Sequence, residues 1–123
     1  KKARRVEERT VYLLFHGDQV ALRRRPDKGL LAGLWEYPNE LADGTDWPGQ
    51  WGLCPRSLER AGTGRHIFTH IEWHMTALTG ELDDLRLPPG WVWADRRELR
   101  DTYALPNAFQ CFAEAVAGRL GQF

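Results

Sequence analysis

The longest uninterrupted apolar run in this chain is only five residues, Val11-Tyr12-Leu13-Leu14-Phe15. A membrane helix needs roughly 20 apolar residues, so no membrane partner is expected. The β-branched and aromatic content of residues 10–16 predicts a strand. Gly17-Asp18 is a turn signal, and residues 19–25 read as a second strand that closes a hairpin. With 123 residues, 42% of them hydrophobic and no net charge, the chain fits one compact domain and not a disordered segment.

Beyond the hairpin, Pro26-Asp27-Lys28-Gly29 breaks the chain into a loop, and a third strand is expected after Gly33. Residues 43–52, rich in Gly, Asp, Pro and Trp, predict a loop with one helical turn, and residues 57–61 a short helix. Residues 65–79 read as one or two strands. Pro88-Pro89-Gly90 turns into Trp91-Val92-Trp93-Ala94. Asp95 with Glu98 three places on predicts a capped helix start. After Pro106, the spacing of Phe109, Phe112, Val116 and Leu120 is helical and stops at Gly121. Strands first, with an amphipathic C-terminal helix packed on them, define a mixed α+β domain.

Charge is unevenly placed. Residues 1–28 hold nine basic and four acidic residues, a balance of +5, and the rest of the chain carries −5. This basic end is compatible with a phosphate-facing surface, centred on Arg23, Arg24, Arg25 and Lys28. On charge alone, a solvated linker and a strand edge bearing arginines is the more ordinary reading. The opening Lys1-Lys2-Ala3-Arg4-Arg5 carries no initiator, and Met75 is the only methionine. Residues 1–9 therefore read as the end of an interdomain linker, and residues 10–123 as a domain cut from a longer protein. Cys54 and Cys111 lack Cys-x-x-Cys spacing and read as free thiols, with one long-range disulfide as the alternative.

A catalytic set is not evident. His66, His70 and His74 recur every fourth residue, but His70-Ile71-Glu72-Trp73-His74 is not the His-Glu-x-x-His zinc motif, and its neighbours favour a strand. No metal site is expected. Serine occurs once, at Ser57, without a nucleophile elbow. Residues 29–33 lack the Gly-Lys-Ser/Thr of a phosphate-binding loop.

The hairpin followed by Gly33-Leu34-Trp35-Glu36-Tyr37-Pro38 resembles the Nudix fold, a mixed β-sheet with flanking helices. Nudix hydrolases next carry a loop–helix box whose clustered glutamates hold magnesium on a diphosphate. Here Asn39, Glu40 and a loop broken by Pro48 follow, and Arg56-Ser57-Leu58-Glu59-Arg60 offers one acid. Magnesium chemistry needs several converging carboxylates. The chain thus looks like a Nudix scaffold without the hydrolase.

The whole chain resembles the C-terminal domain of MutY-type adenine DNA glycosylases. Three segments carry the resemblance in order: Leu31-Ala32-Gly33-Leu34-Trp35-Glu36-Tyr37-Pro38, His66-Ile67-Phe68-Thr69-His70, and Tyr103-Ala104-Leu105-Pro106. In that family a separate N-terminal helical domain, with an iron–sulfur cluster, excises adenine mispaired with 8-oxoguanine. The C-terminal domain inspects the 8-oxoguanine. The resemblance implies a non-catalytic, cofactor-free, monomeric lesion-recognition domain. Its partners would be duplex DNA containing A:8-oxoguanine and the N-terminal glycosylase domain of the same parent. A bacterial parent would be cytoplasmic and DNA-associated, any other nuclear or mitochondrial. Phe68, Thr69 and His70 would form the lesion-reading loop, with His66 beside it, and Thr69 stands where the family usually has serine. The hydroxyl suits the task, because it donates and accepts. It can therefore meet the N7–H and O8 of 8-oxoguanine, where guanine offers only the N7 acceptor. The competing reading is a Nudix hydrolase of an oxidised nucleotide such as 8-oxo-dGTP with a degenerate box. A third is a protein-interaction module on the same scaffold.

Overall fold

The computed structural model describes residues 3–123. The first strand, β1 (Arg5–His16), turns at Gly17-Asp18 into β2 (Gln19–Arg24). Short β3 (Trp35–Glu36) and β4 (Asn39–Leu41) follow, then the four-residue helix α1 (Trp47–Gln50). Two long strands, β5 (Arg56–Ile67) and β6 (Ile71–Glu81), form a second hairpin. The chain closes with β7 (Val92–Ala94), α2 (Arg96–Asp101), a 3-10 segment (Asn107–Phe112) and α3 (Ala113–Leu120). This is the mixed sheet with flanking helices that the sequence predicts.

The sheet runs β3-β2-β1-β6-β5, with β4 also paired to β1 and β7 to β2. Its centre is parallel: β1 and β6 pair from Arg5↔Ile71 to Phe15↔Glu81. Alternation along β1 gives the sheet two buried faces. Val11, Leu13 and Phe15 join Trp73, Met75 and Ala77 beneath Phe109, Phe112, Val116 and Leu120. Tyr12 and Leu14 pack on the other side with Ala21, Leu53 and Leu82, rimmed by Trp47, Trp51, Trp91 and Trp93. Full burial of one such large apolar side chain contributes about 1.5–3 kcal/mol.

The helix ends follow their sequence signals. Asp95 Oδ1 accepts from the Glu98 amide at 2.9 Å, and Glu98 Oε1 from the Asp95 amide at 3.0 Å, a reciprocal capping box. Gly121, at φ 93°, ends α3 with its amide on the Ala117 carbonyl. The 3-10 segment lies so close to β5 that a Cβ on Gly64 would overlap Cys111 Sγ.

Two expectations need correction. Residues 5–9, expected as linker, are the first half of β1 and pair with β4 or β6. Their charges form a ladder within the strand, Arg5–Glu7–Arg9, at 2.9 and 2.8 Å. Residues 57–61, expected as a helix, lie in edge strand β5. Irregular pairing between Arg56/Glu59 and Arg60/Gly62, with Ser57 at φ 54°, hides the strand period there. Cys54 and Cys111 are both free thiols.

Candidate nucleic-acid interface

Phe68, Thr69 and His70 form the tip that joins β5 to β6. The Phe68 amide donates to the Ile71 carbonyl at 2.7 Å, which closes the turn. The His70 carbonyl accepts from the Arg5 amide at 3.0 Å, which ties the turn to β1. Thr69 and His70 are exposed. Phe68 is half-buried, its ring 5.0 Å from Trp73 and 4.7 Å from His66, edge-on to both. His66 stands on β5 directly opposite Trp73. The four residues singled out in this segment are therefore gathered at one end of one hairpin.

Trp73 is the platform beneath this tip. It is 1% exposed, and Arg9 and Arg25 place their guanidinium carbons 4.8 and 5.6 Å from its ring centre. Cations over a desolvated indole are worth more than at an exposed site. Among the described residues its Nε1–H is the one buried side-chain polar atom without a hydrogen-bond partner. Arg9 is fixed by Asn39 Oδ1 at 2.9 Å and Glu7 at 2.8 Å. Arg25 is fixed by the Leu30 carbonyl at 3.1 Å and Glu36 at 3.4 Å. Sequence reading missed Trp73 and Arg9. Their signal, an arginine two residues along β1 from the partner of a buried aromatic, appears only once β1 and β6 are aligned, with Glu7 opposite Trp73 and Arg9 opposite Met75.

The basic run 23–25 does not form one phosphate-facing surface. Arg23 donates to Glu36 at 2.8 Å, to Glu40 at 2.9 Å and to the Asn39 carbonyl. Its side chain and that of Arg25 are each 15% exposed. Both guanidiniums thus serve the interior, because strand alternation turns them toward Glu36. Arg24 and Lys28 remain exposed, Arg24 donating to the Gly33 carbonyl at 3.2 Å.

Behind the tip, Glu72 gathers cations. Arg4 Nε is 3.5 Å from its carboxylate, Arg65 Nη1 is 3.8 Å away, and His74 Nε2 is 2.6 Å away. His74 Nδ1 reaches Glu8 at 3.0 Å, so both ring nitrogens face carboxylates. The hydrogen bond from His74, and then the charges of His74 and Arg4, hold Glu72 below its ordinary value of 4.5. The histidine series lies on strands and a turn, not on one helix face.

The carboxylates that magnesium chemistry would need are dispersed. Glu36 is 1% exposed and engaged by Arg23 and Arg25, Glu40 is paired with Arg23, and Glu59 lies on the β5 edge. Among the described residues no three His, Cys, Asp or Glu side chains come together as a metal site. No described helix is long and apolar enough to cross a membrane.

This fold, with its central parallel pair and degenerate acid segment, is that of a NUDIX domain. The family model matches residues 10–115, and the chain belongs to that family. Within it, the chain is similar to adenine DNA glycosylases. The human enzyme is 31% identical over 111 residues, covering 76% of this chain and 20% of that protein. The Arabidopsis thaliana enzyme is 34% identical over 95 residues, covering 56% of this chain and 15% of that protein. The chain thus spans 15–20% of the length of these curated relatives. Among solved structures, the C-terminal domain of mouse MUTYH, in its complex with human PCNA, superposes with a TM-score of 0.67 at 26% identity. That match covers 95% of this chain and 93% of the mouse domain. A MutT protein from Methanosarcina mazei Go1 superposes with a TM-score of 0.70 at 18% identity, over 96% of this chain and 97% of that one, a likeness of fold alone.

Proposed function

We propose that this NUDIX domain reads 8-oxoguanine opposite mispaired adenine in duplex DNA, so that a separate N-terminal glycosylase domain of the same parent removes the adenine in base excision repair. Such a parent would work wherever its DNA lies, and any iron–sulfur cluster belongs to its helical domain. The observation that carries the reading is the tip of the β5–β6 hairpin. A half-buried Phe68 anchored on Trp73 presents the Thr69 hydroxyl and His70 to solvent. A wedge held from behind suits a partly unstacked base step. A hydroxyl that both donates and accepts suits a lesion whose N7 has become a donor.

The test is a binding ratio. The chain is titrated against duplexes that differ only in 8-oxoguanine or guanine opposite adenine. The native chain favours the lesion. Thr69→Ala lowers that preference by about 1 kcal/mol, roughly fivefold, the worth of one lost hydrogen bond. Thr69→Ser keeps it. Because Thr69 is exposed, both variants keep the native melting temperature. An unchanged ratio in a folded Thr69→Ala chain removes this loop from lesion reading.

A further inference from the structure

We infer that Arg4 and Arg65, drawn to either side of Glu72, form a backbone-phosphate clamp for the DNA strand that passes the reading tip. The inference rests on the DNA reading above and adds the surface on which the strand lies.

Register builds the site. Val6, Glu72 and Ile67 stand in one row across β1, β6 and β5. Arg65 lies two residues before Ile67 on β5, so strand alternation puts it on the Glu72 face, and Arg4, just ahead of β1, reaches the same carboxylate. Their guanidiniums approach one carboxylate from opposite sides of β6, at 3.5 and 3.8 Å. These separations are ion pairs longer than hydrogen bonds, so the directional N–H donors stay available. The side chains are 43% and 71% exposed, whereas Glu72 is 15% exposed. The carboxylate therefore aims two cations without neutralising both.

The other acids beside the clamp, Glu7 and Glu8, are already engaged by neighbouring side chains. His74 takes the other side of Glu72 and is itself shared with Glu8. Arg5 pairs with Glu7 within the β1 ladder. The ligand class that answers two aimed guanidiniums is a pair of phosphate oxygens, which an arginine fork binds in two-pronged fashion. A DNA backbone is the source favoured here, because Glu72 lies two residues beyond His70. A strand offering its base to the tip must then bring phosphates across this face. The run 23–25 is a poorer candidate, since Arg23 and Arg25 are spent on Glu36 and Glu40.

The experiment measures duplex affinity by fluorescence anisotropy across a range of salt concentrations. It compares the native chain, Arg4→Gln/Arg65→Gln, and Arg96→Gln/Arg97→Gln on α2 as an equal loss of charge elsewhere. Each phosphate contact contributes about 0.9 to the slope of log affinity against log salt. The clamp variant should flatten that slope by roughly 1.8 and weaken lesion and undamaged duplexes alike, while the α2 variant keeps the native slope. An unchanged slope in the clamp variant, or an equal flattening in the α2 variant, overturns the clamp. Inorganic phosphate competing as strongly as duplex DNA would overturn the assignment to a DNA backbone. If the native chain keeps its lesion preference while the clamp fails, the function proposed above still stands. If the slope depends on Arg4 and Arg65 but no lesion preference exists, lesion reading alone falls. Absence of duplex binding at low salt overturns both.

Discussion

Three consecutive arginines on β2 and its exit meet three different environments. Arg23 and Arg25 turn inward to Glu36, which is 1% exposed and also accepts from Asn39 Nδ2 at 2.8 Å. Arg24 turns out over Trp35. Removing one partner of a buried charge network strands the others, which costs about 3–5 kcal/mol. Glu36→Ala should therefore lose stability on that scale in urea denaturation, and Glu36→Gln, which keeps an acceptor for Asn39, should lose less. A Glu36→Ala loss below about 1 kcal/mol, the scale of a surface pair, would show that the network contributes little. The same geometry explains why sequence misled at this point. A run of arginines shows its charge, but its partner lies 13 positions away and appears only through the Arg23↔Glu36 register. Phe68, Thr69, His70 and His66 can be proposed from sequence because they fall in one short segment, residues 66–70; the stacking of Arg9 on Trp73 cannot, because register assembles it.

At the scale of elements, α3 is fastened to the sheet by Arg119 in its last turn. The guanidinium pairs with Glu81 at the end of β6, its Nη2 2.8 Å from Oε1, and Nε donates to the Gly17 carbonyl at 2.9 Å. The hydrogen bond from Arg119 depresses the Glu81 pKa below its ordinary 4.5, outweighing the opposing effect of burial. A depressed carboxylate stabilises the fold fully above its unfolded value, and loses that contribution as pH falls through the lower folded value. Both side chains are about a third exposed, so the contribution is about 0–1 kcal/mol at neutral pH. Arg119→Gln should lower the thermal midpoint slightly at pH 7, and the gap from the native chain should close as pH drops below 4.5. A gap that stays constant into acid would place the effect in lost packing on Phe15 and not in the ion pair. The start of α2 and the end of α3 were readable because a capping box and Gly121 are local chemistry. The helical spacing after Pro106 does not show that Asn107–Phe112 is a 3-10 segment and that α3 starts only at Ala113. Edge strand β5 was not, since mostly exposed residues and irregular pairing erase the alternation that marks a half-buried strand.

At the scale of the whole molecule, a NUDIX scaffold is present with its acid machinery redistributed into structure. The segment after Pro38, where hydrolases of this fold gather carboxylates, instead supplies Asn39 and Glu40 to the arginines of β1 and β2. It then shortens into α1, four residues long and without an acid in its first turn. A divalent cation on a diphosphate must be met by several oxygens at once, and magnesium demands near-octahedral geometry. Glu36 cannot be lent to a metal without stranding Arg23 and Arg25, so a single added glutamate does not rebuild such a site. The chain is therefore expected to release no pyrophosphate from 8-oxo-dGTP in the presence of magnesium, as followed by chromatography of the nucleotide products. Glu40→Gln, which removes the acid nearest the lost box, should leave that baseline unmoved. Magnesium-dependent turnover at ordinary enzyme rates, abolished by Glu40→Gln, would return this domain to the hydrolases and make Arg23 a partner of catalysis instead of a strut.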